Sequence, residues 1–201
     1  MAEHYFSESP GGDFKQREIA VTLAGKKVKV KTAGSVFSPE HIDQGTQVLL
    51  DHLDLAKPTG TFLDLGCGWG PIALALALHS PKAKLFAVDV NERSLELTRI
   101  NAATLEISSI QISKPEDVAS EIEFDQIWSN PPIRVGKAVL HEMLQLWIPR
   151  LAPGGSAFLV VQKNLGSDSL QKWLEAEFIT GFEVSRFTSV KTFRILKVTR
   201  T

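Results

Sequence analysis

Three glycines at alternate positions, Gly66, Gly68 and Gly70, separate the apolar run 61–65 from an apolar helical pattern over 71–79. Glycine lets a backbone turn tightly and pass close to a ligand, and the unpaired N–H groups at a helix start point outward. The spacing Gly-x-Gly-x-Gly differs from the Gly-x-Gly-x-x-Gly of dinucleotide enzymes. The turn therefore predicts a ligand site at a strand-to-helix junction, although such a turn alone is also common in ordinary packing.

Two acidic residues narrow the kind of ligand. Asp64 lies just before the turn, where a carboxylate would repel a phosphate and favour a cationic group. Asp89 ends the next predicted strand, at the place where an acidic residue binds ribose hydroxyls in this type of sheet. The glycines and the two carboxylates together predict a ligand that carries a ribose and a positive charge.

A third group, Ser129-Asn130-Pro131-Pro132-Ile133, follows the predicted strand 124–128. An amide or aromatic amine nitrogen is a poor nucleophile because its lone pair is delocalised, so a catalyst has to orient it. The Asn130 side-chain oxygen and the Pro131 carbonyl could accept the two N–H bonds of such a nitrogen, and the paired prolines would hold both acceptors in place. The alternative is a plain turn, for which asparagine and proline are common.

Other catalytic groups are poorly represented. No Ser–His pair or carboxylate pair is evident. The single cysteine, Cys67, excludes an internal disulfide framework, and we interpret it as a small filler within the turn rather than a nucleophile. The histidines have no spacing typical of a metal site, so we expect no metal; they are His4, His41, His52, His79 and His141.

The elements that must position these residues alternate between strand and helix. This order predicts an α/β fold with a doubly wound, mostly parallel sheet, ligands at the carboxyl ends of its strands, and an antiparallel C-terminal strand pair. The predicted strands are 61–65, 84–88, 109–112, 124–128, 156–162, 182–187 and 192–199, and the predicted helices are 71–79, 92–105, 137–150 and 168–178.

The N-terminal part is predicted to form a short hairpin from strands 18–23 and 26–31. The second strand alternates lysine with valine, so one face would be apolar and the other basic. It is either a solvated edge strand protected by lysines or a strand that contacts phosphates.

After the hairpin, Ser38 is expected to cap a helix that has Pro39 in its first turn and runs to about Leu53. We expect a single domain over 1–201, with an N-terminal extension at 1–35 and a catalytic core at 36–201.

Composition limits the class of protein. The 201 residues are 43% hydrophobic and 22% charged, as in ordinary globular domains. The net charge of −1 argues against holding bare nucleic acid by charge alone, but leaves room for local basic patches. Residues 1–12 lack the apolar stretch of a signal peptide, and the longest apolar run, 72–78, is too short to span a membrane. We therefore expect a soluble cytoplasmic protein.

The segment 63–70, followed by Val88-Asp89-Val90-Asn91, resembles the first two motifs of class I S-adenosylmethionine-dependent methyltransferases. The resemblance implies a Rossmann-like methyltransferase fold with S-adenosylmethionine as cofactor. It implies that the glycine turn passes under the methionine portion, with Asp64 near its amino group, Asp89 on the ribose and Val90 on the adenine. The expected cofactor-binding residues are Phe37, Thr46, Asp64, Gly66, Cys67, Gly68, Gly70, Asp89, Val90, Asn91, Ser113 and Asn130.

A second resemblance is more selective. Segments 36–38, 42–46, 130–137 and 162–166 are similar to those of the small-subunit ribosomal RNA guanine-N2 methyltransferase family, and the likeness extends over nearly the whole chain. It implies transfer of a methyl group to the exocyclic N2 amine of a guanine, with ribosomal RNA or the small ribosomal subunit as partner. The expected catalytic residues are Asn130, Pro131, Pro132 and Ile133.

The sequence departs from that family at three places. Ile133 stands where an aromatic residue often stacks on the target. Lys114 stands where relatives tend to carry an acidic residue for the adenine amine, a role left to Glu116, Asp117 or backbone groups. The extra N-terminal half of longer members is not expected in this chain.

The sequence is also compatible with other functions. A protein glutamine N-methyltransferase, or another nucleic-acid amino-methyltransferase, uses a similar tetrapeptide, and a non-catalytic binding module could keep the fold. Arg134, Lys137 and Lys163 would meet phosphates near the acceptor or be ordinary surface charges. Trp69 would form a cavity wall or pack against the sheet.

Overall fold

The computed structural model describes residues 15–34 and 36–201, which form two sheets and the helices that cover them. A two-stranded sheet consists of β1 (Gln16–Leu23) and β2 (Lys26–Ala33). The larger sheet consists of β3 (Thr61–Leu65), β4 (Lys84–Val88), β5 (Ile110–Ser113), β6 (Phe124–Ser129), β7 (Leu151–Gln162), β8 (Phe182–Val190) and β9 (Phe193–Arg200). The α-helices are α1 (Gln44–Leu50), α2 (Pro71–His79), α3 (Glu92–Thr104), α4 (Lys137–Trp147) and α5 (Ser167–Glu177).

The larger sheet has the order β5-β4-β3-β6-β7-β9-β8. Strands β3 to β7 pair in parallel, whereas β9 pairs antiparallel with both β7 and β8. The predicted fold class is therefore confirmed. The chain leaves β3 towards β5 and returns on the other side of β3 as β6, so a crevice for a ligand is expected where β3 and β6 end.

Both faces of the sheet are covered. One core lies between the sheet and the hairpin with α1 and α2, and a second core lies under α4 and α5. Helix α2 is buried on most of its surface, with a buried run over Ile72–Ala77, because it packs between the sheet, the hairpin and α1. This burial is why its sequence is apolar throughout rather than amphipathic.

The hairpin has the predicted two faces. In β2, Val30 is buried in the core and Val28 packs against it, while Lys27 and Lys29 are exposed. The predicted division into an extension at 1–35 and a core at 36–201 stays a prediction. The lead-in predicted at Ser9–Gly12 lies outside the described residues.

The helix predicted to begin at Ser38 is wrong in its start and its cap. Helix α1 begins at Gln44, and Asp43 caps it by accepting hydrogen bonds from the backbone N–H groups of Gly45 and Thr46. Ser38 has a positive φ of 47°, and its hydroxyl donates to the His41 carbonyl at 2.7 Å. A local turn therefore satisfies Ser38, and an equally good N-cap residue further along starts the helix.

Other boundaries differ by smaller amounts. The helix predicted over 137–150 ends at Trp147, and a 3-10 turn follows over Ile148–Arg150. Pro149 lies in that turn, where its missing N–H and ring do not fit a continued helix. Strand β7 begins at Leu151, five residues before its predicted start at Ser156. Within the described residues, none of the helices is both long enough and apolar enough to cross a membrane.

Candidate active site

A cavity of about 440 Å³ opens at the carboxyl ends of β3, β4 and β6. This volume is typical of sites for small-molecule cofactors. The cavity wall includes these predicted residues: Phe37, Thr46, Gly66, Cys67, Gly68, Asp89, Val90, Asn130, Pro131, Pro132 and Ile133. The remaining four predicted residues, Asp64, Gly70, Asn91 and Ser113, do not line it.

The glycine turn offers its backbone to the cavity. Gly66 and Gly68 have positive φ angles of 77° and 58°, and a Cβ atom at either position would meet no described atom within 4 Å. The open space beside them is thus a cradle that a side chain would fill. The backbone N–H groups of Gly66 and Cys67 both donate to the Val88 carbonyl, at 2.9 and 3.0 Å, which holds the turn against β4.

Gly70 packs against α3 and does not line the cavity. A Cβ atom there would lie 2.9 Å from Thr98 Cγ2 on α3, so the close approach of the turn to that helix requires glycine. The predicted contact of Gly70 with the cofactor stays a prediction. Asn91 also has a structural place, because its side chain caps α3 by accepting from the N–H groups of Arg93 and Ser94.

Asp89 joins the end of β4 to the glycine turn. Its Oδ2 accepts from the Gly68 N–H and its Oδ1 from the Asn91 N–H, each at 2.9 Å. Burial raises the pKa of this carboxyl, and the backbone hydrogen bonds oppose the shift. Each carboxylate oxygen has more than one acceptor site, so Asp89 is held in place and can still accept hydroxyl groups of a ligand.

Asp64 lies behind the turn and is fully buried. Its Oδ2 accepts from the Ala73 N–H at 2.8 Å, whereas its Oδ1 has no hydrogen-bond partner among the described residues. Burial raises the pKa of Asp64 to about 8, and the nearby charge of Asp89 adds to the shift. Burial likewise raises the pKa of the Cys67 thiol, which fits its interpretation as an unreactive filler.

Asn130 is held by two side chains from the start of α1. Its Nδ2 donates to Asp43 Oδ2 at 2.8 Å and to Thr46 Oγ1 at 3.0 Å. A carboxylate can only accept, so the amide nitrogen has to face Asp43. Both amide hydrogens are then used, and Oδ1, which has no protein partner in the described part of the chain, is left for the cavity.

The start of α1 reaches Asn130 because Gly45 has no side chain. A Cβ atom at Gly45 would lie 3.0 Å from Asp43 Oδ2, 3.1 Å from Phe193 Cε1 and 3.4 Å from Asn130 Nδ2. Asp43 was not among the site residues predicted from the sequence. Its place as a helix cap was a readable signal, but its contact with a residue 87 positions away was not.

The tetrapeptide loop is fixed at both ends. The Ser129 hydroxyl donates to the Leu65 carbonyl at 2.7 Å, which ties the end of β6 to the end of β3. The Ile133 N–H donates to the Pro131 carbonyl at 2.8 Å, so that carbonyl already has one partner within the loop. Of the two acceptors predicted for a substrate nitrogen, the Asn130 oxygen is the one left without a protein partner in the described structure.

Aromatic residues line the cavity at places that the sequence analysis only partly predicted. Phe193 of β9 lies beside Gly45 and contributes an aromatic ring to the wall, although it was not predicted. Phe37 is 44% exposed and lines the wall as expected. Trp69 fulfils both interpretations, since it lines the cavity and is also buried in the core, with its Nε1 donating to the Ser38 carbonyl at 3.3 Å.

The charged residues near the site fall into different environments. Arg134 lines the cavity. Lys163 donates from Nζ to the Lys191 carbonyl at 2.7 Å. Lys114 pairs with Glu92 at 2.9 Å, and the neighbouring Pro115, not Lys114, reaches the cavity wall. Within the described residues, no group of three or more His, Cys, Asp or Glu side chains could hold a metal ion.

The family model of the methyltransferase small domain matches residues 27–197, which include β3 to β8, most of β2 and β9, and every residue of the cavity wall. The chain belongs to the methyltransferase small domain family. Membership confirms the predicted enzyme class, a class I S-adenosylmethionine-dependent methyltransferase, and with it the predicted cofactor.

Individual relatives match at different lengths. The uncharacterised protein YbxB of Bacillus subtilis (strain 168) is 34% identical over 200 residues, which are 98% of both chains. Ribosomal RNA small subunit methyltransferase C of Hamiltonella defensa is 37% identical over 131 residues. That match covers 64% of this chain and 38% of the relative, so the chain spans well under half of the longer protein.

A solved structure supports the fold over nearly the whole chain. It is a 16S ribosomal RNA N2-guanine methyltransferase from T. thermophilus, in complex with AdoMet and guanosine. The TM-score is 0.78 at 24% sequence identity, and the match covers 94% of this chain and 52% of that one.

Proposed function

We propose that the protein transfers the methyl group of S-adenosylmethionine to the exocyclic N2 amine of a guanine in small-subunit ribosomal RNA. The observation that carries the proposal is the Asn130 amide, whose oxygen remains for the cavity while its nitrogen is held by Asp43 and Thr46. Asn130 lines the same cavity as the glycine turn, so an acceptor nitrogen and the methyl donor could meet there.

The residues on one side of the cavity fit the cofactor. The open cradle beside Gly66 and Gly68 admits the methionine portion, Asp89 offers acceptors for ribose hydroxyls, and Val90, 42% exposed, offers an apolar surface to the adenine. When bound, S-adenosylmethionine supplies a methyl group already activated by its sulfonium, so the protein has only to bind, orient and exclude water. Asp64 remains a proposed partner for the amino group, although it lies behind the wall.

Asn130 would orient the acceptor. Its Oδ1 accepts one N–H of the exocyclic amine and thereby holds the nitrogen lone pair towards the methyl group. As the new bond forms, positive charge grows on the nitrogen and the hydrogen bond to Oδ1 strengthens. An interaction that is stronger in the transition state than in the bound substrate accelerates the reaction.

Asp43 and Thr46 would act through Asn130 as positioning residues. Their two acceptors prevent rotation of the amide, which would otherwise turn its NH₂ group towards the substrate. The carboxylate of Asp43 also polarises the amide, which places more negative charge on Oδ1. The asparagine is thus preorganised before the acceptor arrives.

The choice of guanine in ribosomal RNA draws support from the relatives. The Hamiltonella defensa relative is named as a ribosomal RNA small subunit methyltransferase, and the T. thermophilus structure holds guanosine. Phe193 offers an aromatic face for a base, a role that Ile133 of the tetrapeptide lacks. Such a substrate also implies a cytoplasmic enzyme.

An incubation with isotopically labelled S-adenosylmethionine tests the substrate class. Unmodified small ribosomal subunits, free ribosomal RNA and a protein extract are supplied in separate reactions. We expect label in RNA from the first two reactions. Label confined to a protein glutamine would replace the proposal with the alternative amino-methyltransferase function, and no transfer despite cofactor binding would favour a non-catalytic module.

A further inference from the structure

The charge of the chain is unevenly distributed. The hairpin segment 15–34 holds six basic residues and one acidic residue, a formal net charge of +5. Residues 36–201 hold 16 basic and 19 acidic residues, a net charge of −3. The near-neutral total therefore hides a strongly basic segment, and such an asymmetry is typical of a surface that meets a polyanion.

Most of the basic residues of β2 lie on the face of the hairpin that points away from the core. Alternate residues of a strand point to opposite faces, and the face of β2 that includes Val28 and Val30 packs on the core. Lys27, Lys29 and Lys31 share the other face, opposite Thr22, Ala20 and Glu18 of β1. In a strand, alternate residues lie roughly 7 Å apart, which is close to the spacing of successive phosphates along an extended nucleotide chain.

The basic strand is joined to the wall of the cavity. Asn101 of α3 accepts from the Lys31 N–H at 2.6 Å and donates to the Lys31 carbonyl at 2.9 Å. The same Asn101 side chain donates to the Trp69 carbonyl at 3.0 Å, and Trp69 lines the cavity. The strand β2 also leads directly into Phe37 and Ser38 of the cavity wall.

We propose that the outward face formed by Lys27, Lys29 and Lys31 binds the phosphate backbone of the RNA whose base enters the cavity. This inference rests on the proposed function for the identity of the polyanion. The lysines would position the RNA backbone without recognising the RNA sequence, because phosphate contacts carry no base information. An acidic protein is the competing partner, but its carboxylates lack a regular spacing that would match the spacing of the lysines along β2.

Glu18 partly neutralises the positive charge of this face. It pairs with Lys29 at 2.9 Å and lies 3.8 Å from Lys31. The Lys29 side chain is 73% exposed, and exposed ion pairs contribute little stability, so a phosphate can displace the carboxylate. Removing the Glu18 charge should therefore strengthen RNA binding, whereas a purely structural hairpin would gain nothing from that change.

The test compares two triple variants of equal charge. The first is Lys27→Gln with Lys29→Gln and Lys31→Gln. The matched control is Lys57→Gln with Lys82→Gln and Lys84→Gln. These three exposed lysines lie just before β3, just before β4 and at the first residue of β4, at the edge of the sheet opposite the cavity. Binding of an unmodified small-subunit ribosomal RNA transcript is measured by fluorescence anisotropy from 50 to 300 mM salt, and melting temperature and cofactor affinity are measured alongside.

We expect the hairpin variant to bind RNA about 10- to 100-fold more weakly at low salt and to lose about two units of salt slope, at roughly 0.7 for each lost phosphate contact. The control variant should bind like the unmodified protein, and Glu18→Gln should bind more tightly. Melting temperature and cofactor affinity should not change in any of them.

Several results would overturn the inference and not the proposed function. They are equal RNA affinity in the two triple variants, no tightening by Glu18→Gln, or equally tight, lysine-dependent binding of polyglutamate. Conversely, hairpin-dependent RNA binding without any methylation of RNA would keep the inference and reject the proposed function. Absence of RNA binding by the unmodified protein would reject the inference as well.

Discussion

The two sides of the cavity are built in different ways. The cofactor side comes from one stretch of chain, 64–90, and presents mainly backbone groups and one carboxylate. The acceptor side is assembled from side chains on α1, the loop after β6, and β9, which are far apart in sequence. In the proposed function, a common ligand is thus held by a local motif, whereas the chemistry depends on contacts that only the tertiary structure brings together.

The substitution with the largest expected effect separates chemistry from cofactor binding. Asn130→Ala should lower the single-turnover rate about 10²- to 10³-fold, roughly 3–4 kcal/mol, because it removes a preorganised acceptor. Cofactor affinity should change little, since the glycine turn and Asp89 remain. Calorimetry with S-adenosylmethionine and rapid-quench transfer assays measure the two quantities. Weaker cofactor binding in proportion to the lost rate would mean that Asn130 only shapes the loop.

A negative charge introduced at position 130 also tests the role of Asn130 in the chemistry. Asn130→Asp keeps an acceptor oxygen. It would, however, place a second carboxylate against Asp43, whose Oδ2 lies 2.8 Å from Asn130 Nδ2 in the unmodified protein. Repulsion should therefore make this variant at least as slow as Asn130→Ala. Adding Asp43→Asn restores a donor opposite the new carboxylate and should recover part of the rate.

The next largest effect belongs to the cofactor side. Asp89→Ala should weaken S-adenosylmethionine binding by roughly 1.5–3 kcal/mol, because hydrogen bonds from ribose hydroxyls to a charged acceptor are lost. The rate at saturating cofactor should stay close to that of the unmodified protein. Isothermal calorimetry checks the first expectation. Equal affinity of the variant, or equal affinity of the unmodified protein for NAD, would contradict it.

A smaller effect should come from Asp43 without any contact to the substrate. Asp43→Ser keeps a good helix cap but is too short to reach Asn130, so kcat should drop about tenfold, or roughly 1.4 kcal/mol. Asp43→Asn keeps both the cap and an acceptor and should be nearly normal. If serine and asparagine variants have equal kcat and KM, then Asp43 serves only the helix.

The smallest effect, taken per pH unit, concerns stability and not catalysis. Because burial raises the pKa of Asp64 to about 8, its folded form prefers the proton, and its contribution to stability is complete below the ordinary value of 3.8 and lost as the pH rises. Relative to Asp64→Asn, the unmodified protein should lose roughly 1 kcal/mol of unfolding free energy for each unit between pH 5 and pH 7. Urea unfolding at several pH values measures this difference, and a pH-independent gap would contradict it.

The same contrast explains what the sequence could predict. The succession of strands and helices along the chain, the glycine turn and Asp89 follow from local patterns, since period, glycine spacing and strand ends are all readable over short windows. The start of α1 was misplaced because Ser38 and Asp43 are both good caps and only tertiary contacts decide between them. Asp43 and Phe193 were missed because nothing in their neighbourhood in the sequence points to residues on distant elements.

The most direct test identifies the methylated atom. Unmodified small-subunit ribosomal RNA is incubated with labelled S-adenosylmethionine and the protein, digested to nucleosides and separated by liquid chromatography with mass spectrometry, with Asn130→Ala in parallel. We expect the label in N2-methylguanosine. For Asn130→Ala, we expect it to appear in a single turnover at a rate at least about 100-fold lower. Label in another nucleoside, or an undiminished yield with the variant, would contradict the proposed function and the role of Asn130.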